Sequence, residues 1–158
     1  MKRLTLLRHA KSERDSPTGA DFDRTLDDRG RADAARMGQK IRDLNLTFDL
    51  VLASPAQRVV ETVEGVAGLS PRFDPRIYEA STEALLGIVR STDDQVGSLL
   101  LVGHNPGFEQ LAARLTDTEV DKMPTAALAE IELPVDHWRD VGESGGQLVR
   151  FVRPKGLD

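Results

Sequence analysis

Two of the three histidines in this chain directly follow short apolar runs. Arg8 and His9 come after Leu4–Leu7, and His104 comes after a run that ends at Gly103. Apolar runs of this length that end at turn residues are typical of buried strands. In open α/β sheets, ligands bind beyond the carboxyl ends of the strands. If these two strands are parallel neighbours, His9 and His104 face each other across one crevice.

A third segment adds a cation to the same edge of the predicted sheet. Leu50–Ala53 is a predicted strand, Ser54-Pro55 is predicted to begin the next helix, and Arg58 falls in that helix's first turn. Arginine is a permanent cation whose planar fork suits phosphate oxygens, and neutral imidazole is a nucleophile that forms covalent intermediates. Two arginines and two histidines around one crevice therefore predict a phosphoryl-transfer site.

The helix predicted after His104 supplies further donors. Asn105 is its predicted cap, and the helix is predicted over Pro106–Leu115. Backbone N–H groups at a helix N-terminus favour anions. We therefore include Asn105 in the predicted phosphate-binding set.

Composition restricts the class of protein. The 158 residues suit one domain, residues 1–158, and the net charge of -5 disfavours a nucleic-acid partner, so a phosphate ligand needs a local arginine cluster. The absence of cysteine excludes disulfides and thiol catalysis. The apolar stretch after Lys2 and Arg3 is too short for a signal peptide or a membrane span, which predicts a cytoplasmic protein without a membrane partner. No metal site is predicted, because the histidines lack ligand spacing and the cluster is cationic.

The remaining pattern predicts an α/β domain with a mixed, mainly parallel sheet between two layers of helices. Amphipathic spacing indicates a helix over Asp27–Leu44, and a shorter helix is predicted over Thr82–Arg90. Arg72–Tyr78 reads as a short irregular strand. The chain then ends in two sequential strands, Ala127–Leu133 at a sheet edge and Gln147–Val152 as its hairpin partner, which predicts an antiparallel pair at one edge.

Four segments, in order, resemble the histidine phosphatase superfamily, which has the phosphoglycerate-mutase-like fold, and in particular its compact SixA-like branch of phosphohistidine phosphatases. They are Leu6-Leu7-Arg8-His9-Ala10, Leu52–Arg58 with Thr62, Leu101–Gly107, and Met123–Leu128. The resemblance covers nearly the whole chain. Ala10 departs from the glycine common in the wider superfamily, and only a short helix fits between Ser81 and Ser98, where many larger relatives insert a helical lid.

The resemblance implies a role for each of the strand-end residues. His9 is the nucleophile that becomes phosphorylated, Arg8 and Arg58 hold the phosphoryl oxygens, and His104 forms the opposite wall and stabilises the transferring group. No cofactor is implied. A groove without a lid suits phosphohistidine presented on a signalling or carrier protein, and we expect a monomer.

The general acid is an open question at this stage. Glu79 lies about where a carboxylate protonates the leaving group in the mutases and acid phosphatases of the superfamily. A phosphoramidate leaves as an imidazole, which can take a proton from solvent near neutral pH, so a phosphohistidine phosphatase needs no such acid. Two alternatives therefore remain: a phosphatase for a small phosphorylated metabolite, which depends on Glu79, and a non-catalytic module that binds phosphoproteins.

Two other groups of polar residues receive structural interpretations. His137 lies on the connection before the last strand and is read as structural rather than catalytic. The mixed charge run from Asp21 to Arg31 is predicted to be a solvated loop and helix start.

Overall fold

The computed structural model describes residues 1–118, 122–142 and 144–154 as one six-stranded sheet with helices on both faces. In chain order, the strands and α-helices are β1 (Lys2–Arg8), α1 (Asp28–Asp43), β2 (Leu50–Ala53), α2 (Gln57–Val66), β3 (Arg72–Phe73), α3 (Thr82–Arg90), β4 (Ser98–Gly103), α4 (Gly107–Thr116), β5 (Leu128–Leu133) and β6 (Gln147–Val152).

The strand order is β3-β2-β4-β1-β5-β6, and it confirms the predicted mixed sheet. The first four strands in this order are parallel to one another, while β5 runs antiparallel to both β1 and β6. The antiparallel pair therefore lies at one edge, as predicted, but β5 is internal and β6 is the edge strand. The central strand β4 is apolar from Leu99 to Val102, because helices cover both faces of the sheet there.

Two apolar clusters hold the layers together. On one face of the sheet, α3 and α4 pack around Phe108 and Trp138, neither of which is exposed to solvent. On the other face, α1 and α2 pack against β2 and β4 around Met37 and Val59. The predicted three-layer architecture is confirmed, and α3 has the predicted bounds with no helical lid inserted after it.

Three local predictions are wrong in detail. The helix predicted from Ser54-Pro55 begins at Gln57, because the Ser54 hydroxyl instead accepts the N–H of Ala56 in a turn before the helix. The strand predicted over Arg72–Tyr78 is two residues long, because the chain turns at a 3-10 helix, Pro75–Ile77.

The third correction concerns the start of α4, which is one residue later than predicted. Pro106 occupies the N-cap position, and the Asn105–Pro106 peptide bond is cis. Asn105 nevertheless makes a capping contact, since its Oδ1 accepts the N–H of Glu109 at 3.1 Å.

Candidate active site

The carboxyl ends of β1 and β4 bring Arg8, His9 and His104 together. Arg8 is opposite Gly103 in the parallel register, and the His9 N–H donates to the Gly103 carbonyl at 2.9 Å. The His9 and His104 ring centroids are 5.4 Å apart. A side chain at Gly103 would collide with Ile77 and Phe108, because a Cβ there would lie 2.8 Å from each. Glycine therefore lets the strand end pass close to the layer of helices below the site.

Backbone geometry fixes the tautomer of His9. Its Nδ1 lies 2.7 Å from the carbonyl oxygen of Ala10, and a carbonyl only accepts, so Nδ1 carries the proton. Burial above all, with the positive charges of Arg58 and Arg8, lowers the pKa of His9 to about 3. The ring is therefore neutral near pH 7, and the Nε2 lone pair is available as a nucleophile.

The peptide that holds His9 is itself held by α2. Thr62, which is fully buried, accepts the Ala10 N–H at 2.9 Å and donates to the Arg58 carbonyl at 2.7 Å. One hydroxyl thus joins the end of β1 to the first turn of α2, although the two segments lie 52 residues apart in the chain. Thr62 is a positioning residue for both His9 and Arg58.

His104 is also held in one tautomer. An Arg58 nitrogen donates to His104 Nδ1 at 3.4 Å, so the proton of the neutral ring is on Nε2, which donates to the Ser54 hydroxyl at 2.8 Å. Burial, together with the charges of Arg58 and Arg8, lowers the pKa of His104 to about 4. Ser54, which the sequence pattern assigned to a helix cap, therefore orients a residue of the site.

Both arginines keep an unpaired donor beside the two histidines. The Nε–H groups of Arg8 and Arg58 are buried and have no hydrogen-bond partner among the described residues. A buried unpaired donor costs about 1–3 kcal/mol. Both side chains also line the pocket, and phosphoryl oxygens are acceptors that arginine binds. Arg8 is held in place by donating another N–H to the Met123 carbonyl at 3.0 Å.

Asp21 and Tyr78 join the site although the sequence analysis assigned neither of them to it. Arg58 donates to the Asp21 backbone oxygen at 2.8 Å and to its carboxylate at 3.0 Å, and the Tyr78 hydroxyl donates to the same carboxylate at 2.6 Å. Hydrogen bonds from Tyr78 and Arg24 and the charge of Arg58 hold the pKa of Asp21 well below its usual range. The charge run is largely exposed and leads into the start of α1 as predicted, but its first residue, Asp21, also folds back onto Arg58, which the prediction missed.

The pocket between these elements has a volume of about 360 Å³. We call its four strand-end and helix-end residues the floor: Arg8, His9, Arg58 and His104. We call three residues outside the strands and α-helices the rim: Asp21 and Glu79, which line the pocket, and Tyr78, which contacts both Asp21 and His104. The cationic side chains that line the pocket outnumber its carboxylates, since Lys11 and Arg24 join the two floor arginines against Asp21 and Glu79. The local charge thus favours an anion in a chain of net charge -5.

Glu79 and Asn105 both line this pocket. Glu79 is exposed and has a positive φ of 49°, a conformation that side chains rarely adopt. Asn105 uses one amide N–H to bind the Met123 carbonyl at 2.9 Å, so its second N–H is the donor left for a ligand. The geometry places both residues at the pocket without assigning either a role.

His137 lies outside the pocket, as the sequence analysis expects of a structural residue. It is exposed and its Nδ1 is 2.9 Å from an Asp94 carboxylate oxygen. In residues 1–118, 122–142 and 144–154, no group of three or more carboxylate and histidine side chains has the geometry to hold a metal ion. No helix in these same ranges is long and apolar enough to cross a membrane.

Comparison with known proteins gives a consistent result. The family model of the histidine phosphatase superfamily (branch 1) matches residues 4–96. An uncharacterized protein of Mycobacterium tuberculosis (strain H37Rv) is 34% identical, and the alignment covers 94% of this chain and 100% of that protein.

Two solved structures are similar over almost their whole length. A candidate phosphohistidine phosphatase, SixA, from Agrobacterium tumefaciens is 28% identical with a TM-score of 0.83, over 97% of this chain and 98% of that one. A protein histidine phosphatase SixA complexed with tungstate has a TM-score of 0.84 over 99% of each chain. The TM-score shows that the two proteins share a fold, and at 22% sequence identity the likeness shows the fold alone.

Proposed function

The chain belongs to the histidine phosphatase superfamily, and from that premise and the geometry of the floor we propose that it is a metal-independent phosphatase acting on phosphohistidine in a signalling or carrier protein. The observation that carries the proposal is the hydrogen bond from His9 Nδ1 to the Ala10 carbonyl. It leaves Nε2 unprotonated in a pocket that the cations Arg8 and Arg58 line.

In the first step, the Nε2 lone pair of His9 attacks phosphorus. A bond forms between Nε2 and phosphorus, the bond from phosphorus to the substrate's ring nitrogen breaks, and the departing imidazole takes the electron pair and a proton from solvent. Arg8 and Arg58 donate to the equatorial oxygens, which carry the negative charge of the transition state. His104 forms the opposite wall of the pocket, and it acts on the transferring group through Arg58, which it helps to orient.

In the second step, a water molecule attacks the phosphorus of phosphorylated His9. The bond between phosphorus and Nε2 breaks, its electron pair returns to Nε2, and the water proton passes to solvent. Inorganic phosphate leaves and His9 regains its starting tautomer. The second N–H of Asn105 adds a donor at the pocket wall during both steps.

The His9→Ala variant tests this mechanism. We expect it to lose turnover by a factor of about 10⁴ or more, because a pocket without a metal-bound nucleophile has no substitute for His9. The matched control is His137→Ala, which removes an exposed histidine outside the pocket and should leave turnover unchanged. Rapid quenching of the wild type with phosphorus-labelled substrate should place acid-labile label on His9. Label on a serine, or normal turnover in His9→Ala, contradicts the mechanism.

The position of Glu79 on the rim supports a second candidate, a phosphatase for a small phosphorylated metabolite. An alkoxide leaving group needs a proton from a general acid much more than an imidazole does. If phosphohistidine is the substrate, Glu79→Gln should reduce hydrolysis of phosphate esters at least tenfold more than hydrolysis of phosphohistidine. Comparing two substrates in one variant cancels any loss of folded protein. A wild type that prefers small esters, with both activities lost together in Glu79→Gln, favours the metabolite.

A further inference from the structure

Phe22 is an exposed aromatic side chain immediately outside the pocket. Its side chain is 38% exposed, whereas Phe108 and Trp138 are completely buried. Single exposed apolar residues are common on protein surfaces and need no explanation by themselves. The position of Phe22 is what distinguishes it, because the preceding residue, Asp21, binds Arg58 of the floor.

A series of ring contacts connects Phe22 with the histidines. The Phe22 ring contacts Tyr78 edge to face at a centroid distance of 5.1 Å, and Tyr78 contacts His104 in the same way at 5.5 Å. Two ring-to-ring steps thus separate Phe22 from the floor. A ligand that contacts both Phe22 and the floor must be longer than one phosphorylated imidazole ring, which a polypeptide carrying phosphohistidine satisfies.

The residues on both sides of Phe22 make hydrogen bonds to other segments of the chain. Arg58 donates to the Asp21 carbonyl at 2.8 Å, Thr18 donates to the Asp23 carboxylate at 2.6 Å, and Arg24 donates to the Glu13 carbonyl at 2.8 Å. An exposed aromatic ring that is already ordered loses little conformational entropy on binding. Aromatic residues of this kind are enriched among those that contribute most to protein interfaces.

We propose that Phe22 is a docking residue for the polypeptide that carries phosphohistidine and that it selects substrates with an apolar side chain beside the phosphohistidine. This inference rests on the proposed function, because it names a surface that the substrate protein contacts. The phosphoryl group binds the floor, while the neighbouring apolar side chain packs against the exposed face of Phe22.

The experiment uses three substrates and two variants of the full chain. The substrates are free phosphohistidine, a peptide with leucine on both sides of phosphohistidine, and the same peptide with serine in both places. The variants are Phe22→Ser and a matched control, Phe73→Ser, which removes another exposed phenylalanine, 46% exposed, on β3. For each protein, kcat/KM is measured on all three substrates.

We expect the wild type and Phe73→Ser to prefer the leucine peptide over the serine peptide by about tenfold, and Phe22→Ser to show no preference. The loss should be in KM rather than kcat, and free phosphohistidine should be hydrolysed equally by all three proteins. The ratio of the two peptides within one variant is independent of the amount of folded protein, so it remains decisive if Phe22→Ser lowers every rate.

Two results would overturn the inference, and they can be told apart. If the wild type hydrolyses both peptides without preference, or if Phe22→Ser keeps the preference, the docking role is wrong and the proposed function stands. If the wild type hydrolyses phosphate esters but none of the three phosphohistidine substrates, both the docking role and the proposed substrate are wrong.

Discussion

The floor and the rim of the pocket are carried by different kinds of backbone. Arg8 and His9 lie at the end of β1, His104 directly follows β4, and Arg58 lies in the first turn of α2. The sheet and the helix therefore fix the positions of the floor residues. The rim residues lie outside the strands and α-helices, and Asp21 and Glu79 are exposed. In the proposed mechanism, the steps that require neutral imidazoles and oriented donors thus take place in the rigid part of the site. The rim orients the floor and, in the proposed mechanism, contacts the substrate.

Hydrogen bonding shows the same contrast. The floor histidines bond to groups that pin their tautomers, His9 to the Ala10 carbonyl and His104 to Ser54. On the rim, Asp21 is ionised, and its hydrogen bond raises the pKa of Tyr78 to about 12, so the phenol stays protonated and keeps donating. A carboxylate held ionised in this way does not serve as the general acid of the reaction. The comparison can be tested by equivalent substitutions in the two regions.

The largest difference in kcat/KM is expected between lysine substitutions of two arginines. Arg58→Lys should reduce kcat/KM for phosphohistidine by about 100-fold, because an ammonium group cannot bind Asp21, His104 and a phosphoryl oxygen at once with fixed geometry. Arg24→Lys should reduce it by only about threefold, since lysine keeps the charge beside Asp21 and the exposed pair contributes little. Steady-state kinetics on both variants measure the difference. Equal losses would show that Arg24, which pairs with Asp21 of the rim, contributes as much to phosphate binding as Arg58 of the floor.

A smaller difference in turnover and in the free energy of unfolding is expected between valine substitutions of two buried threonines. Thr62→Val should lower the free energy of unfolding by about 1–3 kcal/mol and turnover by about tenfold, because the Ala10 N–H is left buried without an acceptor. Thr5→Val is the matched control on β1: the Thr5 hydroxyl is buried without a hydrogen-bond partner among the described residues, so its removal should be neutral or stabilising. Denaturant unfolding and kinetics on both variants test this. A tenfold loss of turnover in Thr5→Val would show that any change near β1 disturbs His9.

The last comparison concerns how the free energy of unfolding depends on pH. The ordinary pKa of histidine is about 6.5, whereas His9 and His104 have pKa values of about 3 and about 4 in the folded protein. Below pH 6.5 the unfolded chain therefore binds protons that the folded chain does not. As the pH is lowered from there, the free energy of unfolding decreases until the pKa of the folded state is reached.

Urea unfolding at pH 7 and pH 5 measures this change above the range in which carboxylates titrate. The wild type should lose stability between these values, and His9→Ala should lose about 2 kcal/mol less. His137→Ala, which removes an exposed histidine, should follow the wild type. If His9→Ala follows the wild type as well, His9 is not held neutral by burial.

The sequence predicted the sheet and the floor well, for one physical reason. Apolar runs end at Arg8-His9 and before His104. Such runs indicate buried strands, because the burial of a strand is visible in the local pattern of its residue types. Parallel strands that share an edge then bring their carboxyl ends together, so Arg8, His9 and His104 could be placed before any contact was known. The helix over Thr82–Arg90 was equally easy to predict, because its apolar residues are spaced to fall on one face. In the structure, Ser81 caps this helix.

Cap positions and strand ends were less predictable. Ser54 has the residue type of a helix cap, yet its hydroxyl binds His104 from a segment 50 residues away. Arg72–Tyr78 has strand-like residues, but only two of them pair with β2. In both places a tertiary contact outweighs the local preference, which is weak by itself.

The rim and the positioning contacts were decided by tertiary structure alone. Asp21 and Tyr78 are 57 residues apart, and Asp21 belongs to a charge run that has the composition of a solvated loop. The tautomer of His9 depends on where one carbonyl points, and Thr62 meets Ala10 only when α2 packs beside the end of β1. Residue type and spacing specify which side chains are buried and on which element they lie. Which donor meets which acceptor across the pocket depends on the packing of distant segments, and no local pattern encodes it.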